Sequence, residues 1–172
     1  MKKVIYTAIF GGYDKLPDPL YKPEGWDFIC FTDSNIQSNI WNIKKVPAIY
    51  EDSTRNARKY KILPHRWFSN YDLSLWVDGN ILIREDINKL VDEYLSKVNL
   101  AVHDHNQNIL DPRNCVYTEA EIILHFGKIN GNYKDDPNLI IQQMEKYINE
   151  KYPKNNSLAV TMQLLRRHNK KD

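Results

Sequence analysis

Short apolar runs alternate along the sequence with amphipathic segments, and this alternation predicts an α/β fold. The run at residues 3–10 is almost wholly apolar, which is typical of a strand buried on both faces of a sheet. Further apolar runs bounded by turn residues predict strands at 27–32, 41–46, 71–77, 99–103 and 157–165. Because helical segments separate most of these strands, we expect a mixed, mainly parallel sheet flanked by helices.

Four segments with helical spacing of apolar residues lie between the predicted strands. Residues that commonly cap helices precede them, at Asp52 or Ser53, Asp86, Thr118 and Asp136. We expect Pro64 to end or kink the first helix and Pro137 to occupy the first turn of the last. Thr118 and Glu121 have the spacing of a capping box, in a helix that ends near Gly127.

Length and charge narrow the classes of function. The 172 residues suit one domain, 1–172, and 24 Lys and Arg against 22 Asp and Glu give a net charge of +2. Residues 166–172 carry four of the basic and one of the acidic residues, so the rest of the chain has a net charge of −1. A near-neutral body argues against a general nucleic-acid binder. The basic tail is either a contact for phosphate or a membrane surface, or a solvated chain end.

The sequence also bears on location. Two cysteines, Cys30 and Cys115, are too few for a disulfide scaffold, which favours a reducing compartment. The first apolar run is short and ends at Gly11, so it fits a strand better than a signal peptide. No apolar stretch approaches the length of a transmembrane segment. We therefore expect a cytoplasmic protein, with peripheral contact at the inner face of the membrane left open.

The most informative local sequence follows the strand predicted at 71–77, where Asp78, Gly79 and Asn80 succeed one another. In open α/β sheets, ligands bind beyond the carboxyl ends of the strands. A carboxylate and an amide oxygen flanking a glycine suit Mg²⁺ or Mn²⁺, which can bridge the oxygens of a diphosphate. Asp-Gly-Asn is also a favourable turn, and taken alone the turn interpretation is the stronger one.

A second candidate lies upstream, where Arg55, Arg58 and Lys61 are spaced three residues apart on one predicted helix. Their charges would neutralise phosphate if that helix ends near the same sheet edge. A solvated helix face is the plain alternative.

The first two strands should end at this edge as well, if they run parallel. Gly11 and Gly12 would allow close backbone approach, Tyr13 would stack on a base, and Asp33 would accept from a base or ribose. Two ordinary strand-to-loop connections explain the same residues. The dinucleotide-binding fingerprint is absent, because no third glycine opens a helix, and no phosphate-cradling Gly-Lys-Ser/Thr sequence occurs.

Histidines and a cysteine form weaker candidates. His103 and His105 are two residues apart without a further histidine cluster, which favours a loop or substrate-contact role over a metal site. His168 is a candidate contact to a metal or a diphosphate. Cys115 has no conspicuous base nearby in sequence and is interpreted as a packed thiol.

Together these segments resemble the GT-A-type glycosyltransferases, in particular a bacterial and plant subfamily formerly described as a domain of unknown function. The matching segments run in order along nearly the whole chain, at 6–14 (Tyr-Thr-Ala-Ile-Phe-Gly-Gly-Tyr-Asp), 31–33, 57–65, 76–81 (Trp-Val-Asp-Gly-Asn-Ile), 113–120 and 166–169. The resemblance implies one GT-A-like domain, with a nucleotide sugar held over the first strands.

The resemblance also implies a role for each candidate. The catalytic residues would be Asp78, Arg58 and Lys61. Donor binding would involve Thr7, Ala8, Tyr13, Asp33, Arg55, Arg58, Lys61 and Gly79. The ligands of Mn²⁺ or Mg²⁺ would be Asp78, Asn80 and His168. Sugar or acceptor contacts would come from His103, His105 and Glu119.

Two features depart from the family pattern. Asn80 stands where GT-A enzymes usually have the second carboxylate of Asp-X-Asp, which removes one negative charge from the metal site. The Trp-containing helix and Ser-x-Arg-Asp-Gln segment expected after Arg-Arg-His-Asn do not follow here, so we expect a truncated or minimal form. No general base stands out, and the stereochemistry of transfer stays open.

The expected function is transfer of a sugar from a nucleotide sugar, with a UDP-sugar favoured, to a glycan or other hydroxyl acceptor in cell-surface polysaccharide synthesis. The alternative is a catalytically inactive module that binds sugar nucleotides or glycans. A third possibility, a purely structural interaction protein, would have no affinity for nucleotides.

Overall fold

The computed structural model describes residues 1–133 and 135–168, and these build a six-stranded sheet. The strands are β1 Lys3–Ile9, β2 Trp26–Thr32, β3 Asn42–Lys45, β4 Leu73–Val77, β5 Leu100–Asp104 and β6 Ala159–Arg167. Their order across the sheet is β3-β2-β1-β4-β6-β5. The pairs among the first four strands are parallel, whereas β6 is antiparallel to β4. The predicted α/β class and mainly parallel sheet are confirmed.

Helices connect most of these strands. They are α1 Ser53–Ile62, α2 Asn88–Tyr94, α3 Val116–Asn130 and α4 Pro137–Asn149, with 3₁₀ turns at Pro64–Arg66 and His105–Gln107. As predicted, Asp52 caps α1, and its Oδ1 accepts from the backbone N–H of Thr54 at 2.7 Å. None of the helices described is long and apolar enough to cross a membrane.

The central strand β1 is buried on both faces of the sheet. Ile5 and Ile9 pack with Leu75 on one face, and Tyr6 and Phe10 pack into an aromatic cluster on the other. This burial explains the near-continuous apolar sequence of β1, because a strand covered on both sides has no polar face.

The aromatic cluster places α1 against the sheet. The Tyr6 ring centroid lies 4.6 Å from that of Phe68 and 5.3 Å from that of Trp76. From α1, Tyr60 stacks on Phe31 with centroids 4.3 Å apart. Edge-to-face and stacked rings have preferred geometries, so this packing fixes where α1 lies over β1.

The described residues divide into two compact units, and the single domain 1–172 stays a prediction. The first contains Met1–Val102 and the described residues from Thr161 on, and the second contains His103–Val160. Within the second unit, Gly127 of α3 makes room for the Tyr133 ring, which an added Cβ would strike.

Two predicted helix starts are wrong. Ile87 and not Asp86 occupies the N-cap position of α2, although Oδ1 of Asp86 accepts from the backbone N–H of Asn88 at 2.9 Å. Cys115 occupies the N-cap position of α3, so Thr118 lies inside the first turn and forms no capping box. The helix also continues past Gly127 and ends at Asn130, and its C-cap Gly131 has a φ of +64°, which favours glycine.

The basic chain end is partly built into the sheet. Arg166 and Arg167 belong to β6, and the Arg167 guanidinium donates to the Leu95 carbonyl at 2.9 Å. The backbone N–H of Arg167 donates to the Asn99 carbonyl, also at 2.9 Å. These two cations are therefore structural, while 169–172 lie outside the described residues.

Asn56 generates a stability prediction, because it is buried and makes four hydrogen bonds to the loop before α1. Its Oδ1 accepts from the N–H groups of Ile49 and Tyr50 at 2.7 and 3.0 Å, and its Nδ2 donates to the carbonyls of Tyr50 and Asp52. We expect Asn56→Leu to lower the free energy of unfolding by about 2–4 kcal/mol, measured by urea denaturation. The exposed neighbour Arg55→Ala should cost under about 1 kcal/mol, and equal losses would contradict this role.

Candidate functional site

The carboxyl ends of β1, β2 and β4 lie at one edge of the sheet, because these strands run parallel. We call the residues that follow them the rim, which consists of residues 11–14, Asp33 and residues 78–80. The backbone N–H of Gly11 donates to both oxygens of the Asp33 carboxylate, at 3.0 and 3.2 Å. The first two predicted strand ends therefore meet through a direct hydrogen bond.

Gly79 lets the turn at residues 78–80, which follows β4, pack against the end of β1. An added Cβ would lie 2.8 Å from Cγ1 of Ile9 and 2.9 Å from Oδ2 of Asp14. No side chain fits there without displacing these neighbours. Gly79, which was predicted to take part in donor binding, thus lets the 78–80 turn pack beside Asp14.

Asp78 is held in place by contacts from three elements. Its backbone N–H donates to the Met162 carbonyl of β6 at 2.9 Å. Its Oδ1 accepts from the Trp76 indole N–H at 2.7 Å and from Lys61 Nζ of α1 at 3.0 Å. The side chain is 33% exposed, so the carboxylate is fixed yet open to solvent.

Asp14 is a rim residue that the sequence analysis missed. It is half-buried, and burial together with the Asp78 carboxylate raises the pKa of Asp14 above its ordinary value. Its sequence signal was its place at the end of the Gly-Gly-Tyr-Asp segment, which was assigned to Tyr13 instead. The rim therefore has two neighbouring carboxylates.

The three cations predicted on one face of α1 lie in different surroundings at the start and the end of the helix. Arg55 is exposed and forms an ion pair with Asp52 at 3.6 Å. Arg58 is exposed one turn further along. Lys61 is 16% exposed and reaches Asp78, so the predicted meeting of this helix with the sheet edge takes place at Lys61.

Three predicted donor-binding residues occupy very different surroundings. Thr7 is fully buried in β1 and Ala8 is 5% exposed, so their side chains are closed to a ligand, which corrects their predicted part in donor binding as far as side-chain contact is concerned. The correction follows from β1 being the central strand, with neighbours on both sides. Tyr13 is 76% exposed, as a stacking residue must be.

The residues predicted to hold Mn²⁺ or Mg²⁺ do not assemble as a ligand set. His168 Nε2 lies 2.8 Å from Ser74 Oγ, and Ser74 precedes Asp78 by four strand positions, or about 13 Å. The side chain of Asn80 is exposed, and Oδ1 of Asp78 already faces the Lys61 ammonium. Across 1–133 and 135–168, no three His, Cys, Asp or Glu side chains group as metal ligands would. The donor set of this rim therefore fits a divalent ion poorly.

The second unit brings together two of the three predicted acceptor residues. Arg113 forms ion pairs with Glu119 and, at 2.7 Å, with Asp111, and its Nη2 lies 3.0 Å from His105 Nε2. Arg113 was missed, although it opens one of the matching segments. We call these contacts of Arg113 the Arg113 network, and His103 lies exposed in β5, two residues before His105.

Cys115 is buried at the start of α3, as expected of a packed thiol. Backbone N–H groups of Asn155, Thr118 and Tyr117 surround its sulfur. These groups outweigh burial and lower the pKa of Cys115 to about 7.

The raised pKa of Asp14 gives a prediction of pH dependence. A raised folded-state pKa means that ionising Asp14 costs stability, and the cost is present once the pH exceeds that pKa. We expect Asp14→Asn to raise the melting temperature at pH 7, with a gain that shrinks as the pH falls through the Asp14 pKa. Thermal unfolding across pH 3–7 measures this.

Asp92→Asn on the exposed side of α2 is the control for Asp14→Asn, and should leave the melting temperature almost unchanged across the same range. An Asp14→Asn protein that is less stable than the wild type at pH 7 would show that the ionised carboxylate is favourable.

Comparison with known proteins places the chain in a family. A family model described as TOD1/MUCI70, glycosyltransferase-like domain, matches residues 28–170. The protein named Probable hexosyltransferase MUCI70, from Arabidopsis thaliana, is 29% identical over 168 residues, which cover 86% of this chain and 27% of that protein. The chain thus spans about a quarter of the length of this curated relative. No solved structure matches. The chain belongs to the TOD1/MUCI70 family of glycosyltransferase-like domains.

Proposed function

We propose that this chain is a GT-A-type hexosyltransferase domain that moves a sugar from a nucleotide-sugar donor to a glycan or other hydroxyl acceptor. Membership of a glycosyltransferase-like family supports the reaction class. The main structural support is the Lys61–Asp78 ion pair, which lies at the carboxyl edge of the parallel strands. This ion pair identifies the residues to which the proposal assigns roles. A UDP-sugar is the favoured donor, and cell-surface polysaccharide synthesis the proposed setting.

The donor would lie along the rim. We assign base stacking to Tyr13, because its ring is exposed beside the end of β1. Asp33 would accept from the ribose with the capacity left after its bonds to Gly11 and Ser34. The diphosphate would face Lys61, where α1 reaches the sheet edge.

Catalysis in this proposal is electrostatic. Negative charge builds on the nucleotide diphosphate as the bond to the sugar breaks, and fixed cations stabilise that charge. Lys61 has the fixed geometry that this role needs, and Arg58 and Arg55 would add positive charge along the same helix face. Asp78 orients the Lys61 ammonium.

Acceptor or sugar contacts are proposed for the second unit. The Arg113 network holds His105 and Glu119 close to one guanidinium, which limits their motion. His103 lies two residues before His105 at the end of β5. An imidazole or carboxylate of this kind is suited to proton transfer from a hydroxyl.

The second candidate function is a module that binds sugar nucleotides or glycans without turnover. The amide of Asn80 in place of a carboxylate favours it. A groove of about 360 Å³ beside β3 favours it as well, since the partly exposed rings of Trp67 and Tyr71 line it and such rings suit sugar faces. Donor binding without hydrolysis or transfer would support this candidate.

A thermal-shift screen tests the proposed donor site. UDP-, GDP-, CMP- and dTDP-sugars are added with and without Mn²⁺, and a ligand that binds only the folded state raises its stability. We expect at least one to raise the melting temperature by about 5–10 °C at roughly 100 times its Kd. Asp78→Asn should reduce this shift by more than half, since it removes the charge that orients Lys61.

The exposed Asp92→Asn serves as the matched control for Asp78→Asn, and should keep the full shift. If no nucleotide sugar shifts the folded wild type, the proposed function is wrong. If Asp78→Asn binds as well as the wild type, the donor lies elsewhere.

A further inference from the structure

We propose that the Lys61 ammonium is the resident cation of the diphosphate site, so that donor binding at the rim needs no divalent metal ion. This inference rests on the proposed function, because it concerns how the same rim holds the donor.

The ammonium of Lys61 is fixed by its neighbours. Nζ lies 3.0 Å from Oδ1 of Asp78 and 5.5 Å from the centroid of the Trp76 ring. The Trp76 indole N–H donates to that same oxygen at 2.7 Å, which fixes the carboxylate that Lys61 contacts. A lysine held by a carboxylate and a ring face loses little further freedom when an anion binds.

The backbone of Lys61 is fixed as well. Arg166 Nη2 donates to the Lys61 carbonyl at 3.1 Å, and Arg166 Nη1 donates to the Tyr6 hydroxyl at 3.0 Å. Tyr6 is fully buried, so Arg166 joins the last turn of α1 to the centre of the sheet. Carbonyls at a helix end attract cations, which further favours positive charge at Lys61. Arg166 is therefore a positioning residue for Lys61.

Asp78, which is the one carboxylate in the predicted set of metal ligands, is already paired with a cation. Lys61 is that cation, and Arg166 holds it there through the Lys61 carbonyl. A divalent ion at Asp78 would have to share that carboxylate with the ammonium at 3.0 Å, against like-charge repulsion. Asn80 adds an uncharged oxygen only. A lysine ammonium is a compact charge with three donors, of which Asp78 takes one, so it can also donate to phosphate oxygens.

Calorimetric titration tests the inference. The nucleotide sugar that gives the largest shift in the thermal screen is titrated into the protein in EDTA and, separately, in Mn²⁺. We expect the two Kd values to agree within about threefold. In EDTA, Lys61→Met and Lys61→Gln should each weaken binding by at least about tenfold, the size of a lost charge-assisted hydrogen bond. Lys61→Arg should restore part of the affinity.

Lys59→Met is the matched control, because Lys59 lies on the same helix over the Tyr60 and Trp67 rings and away from Asp78. It should bind as the wild type does, and circular dichroism checks the fold of every variant. Wild-type binding that requires Mn²⁺ overturns the inference but keeps the donor site. Unchanged binding by both Lys61→Met and Lys61→Gln overturns it too. Absence of binding under every condition overturns the proposed function itself.

Discussion

The parallel pairing of β1 with both β2 and β4 is the constraint on which the site depends. Parallel strands deliver their carboxyl ends to one edge, and here that edge receives Asp33, Asp78 and the Gly11 loop. The burial of β1 on both faces makes this arrangement stable, because a one-residue shift in register would exchange the side chains that fill its two differently packed cores.

Helix α1 supplies positive charge at this edge of the sheet. Its start is fixed by the Asp52 cap and by Asn56, and its end by Arg166. The helix therefore presents Lys61 to Asp78 with its backbone held at both ends. Electrostatic stabilisation of a leaving diphosphate needs such preorganised charge, because a mobile cation would first have to be ordered.

Features that depend on neighbours in sequence were predictable. The strands, the Asp52 cap and the Asp136-Pro137 helix start follow from periodicity and local capping, and the structure has them. The Thr118 capping box failed because the same spacing occurs inside a first turn, and only the backbone decides which residue is the cap.

Features that depend on tertiary contacts were not predictable in this way. Thr7 looked available because it is polar and near a strand end, yet neighbouring strands and two packed faces close it off. Asp14 packs beside Gly79, which is 65 residues away along the chain, so its neighbours in sequence did not reveal its place at the rim. The role of Trp76 had a usable signal, since residues two apart on a strand share a face and so place its indole beside Asp78.

The most direct test of the account is a crystal structure of the protein with the nucleotide of its best donor bound. The account predicts diphosphate oxygens at hydrogen-bond distance, about 3 Å, from Lys61 Nζ, with the base on the Tyr13 side of the rim. A diphosphate bound away from Lys61, or joined to Asp78 through a metal ion with the ammonium displaced, would contradict it.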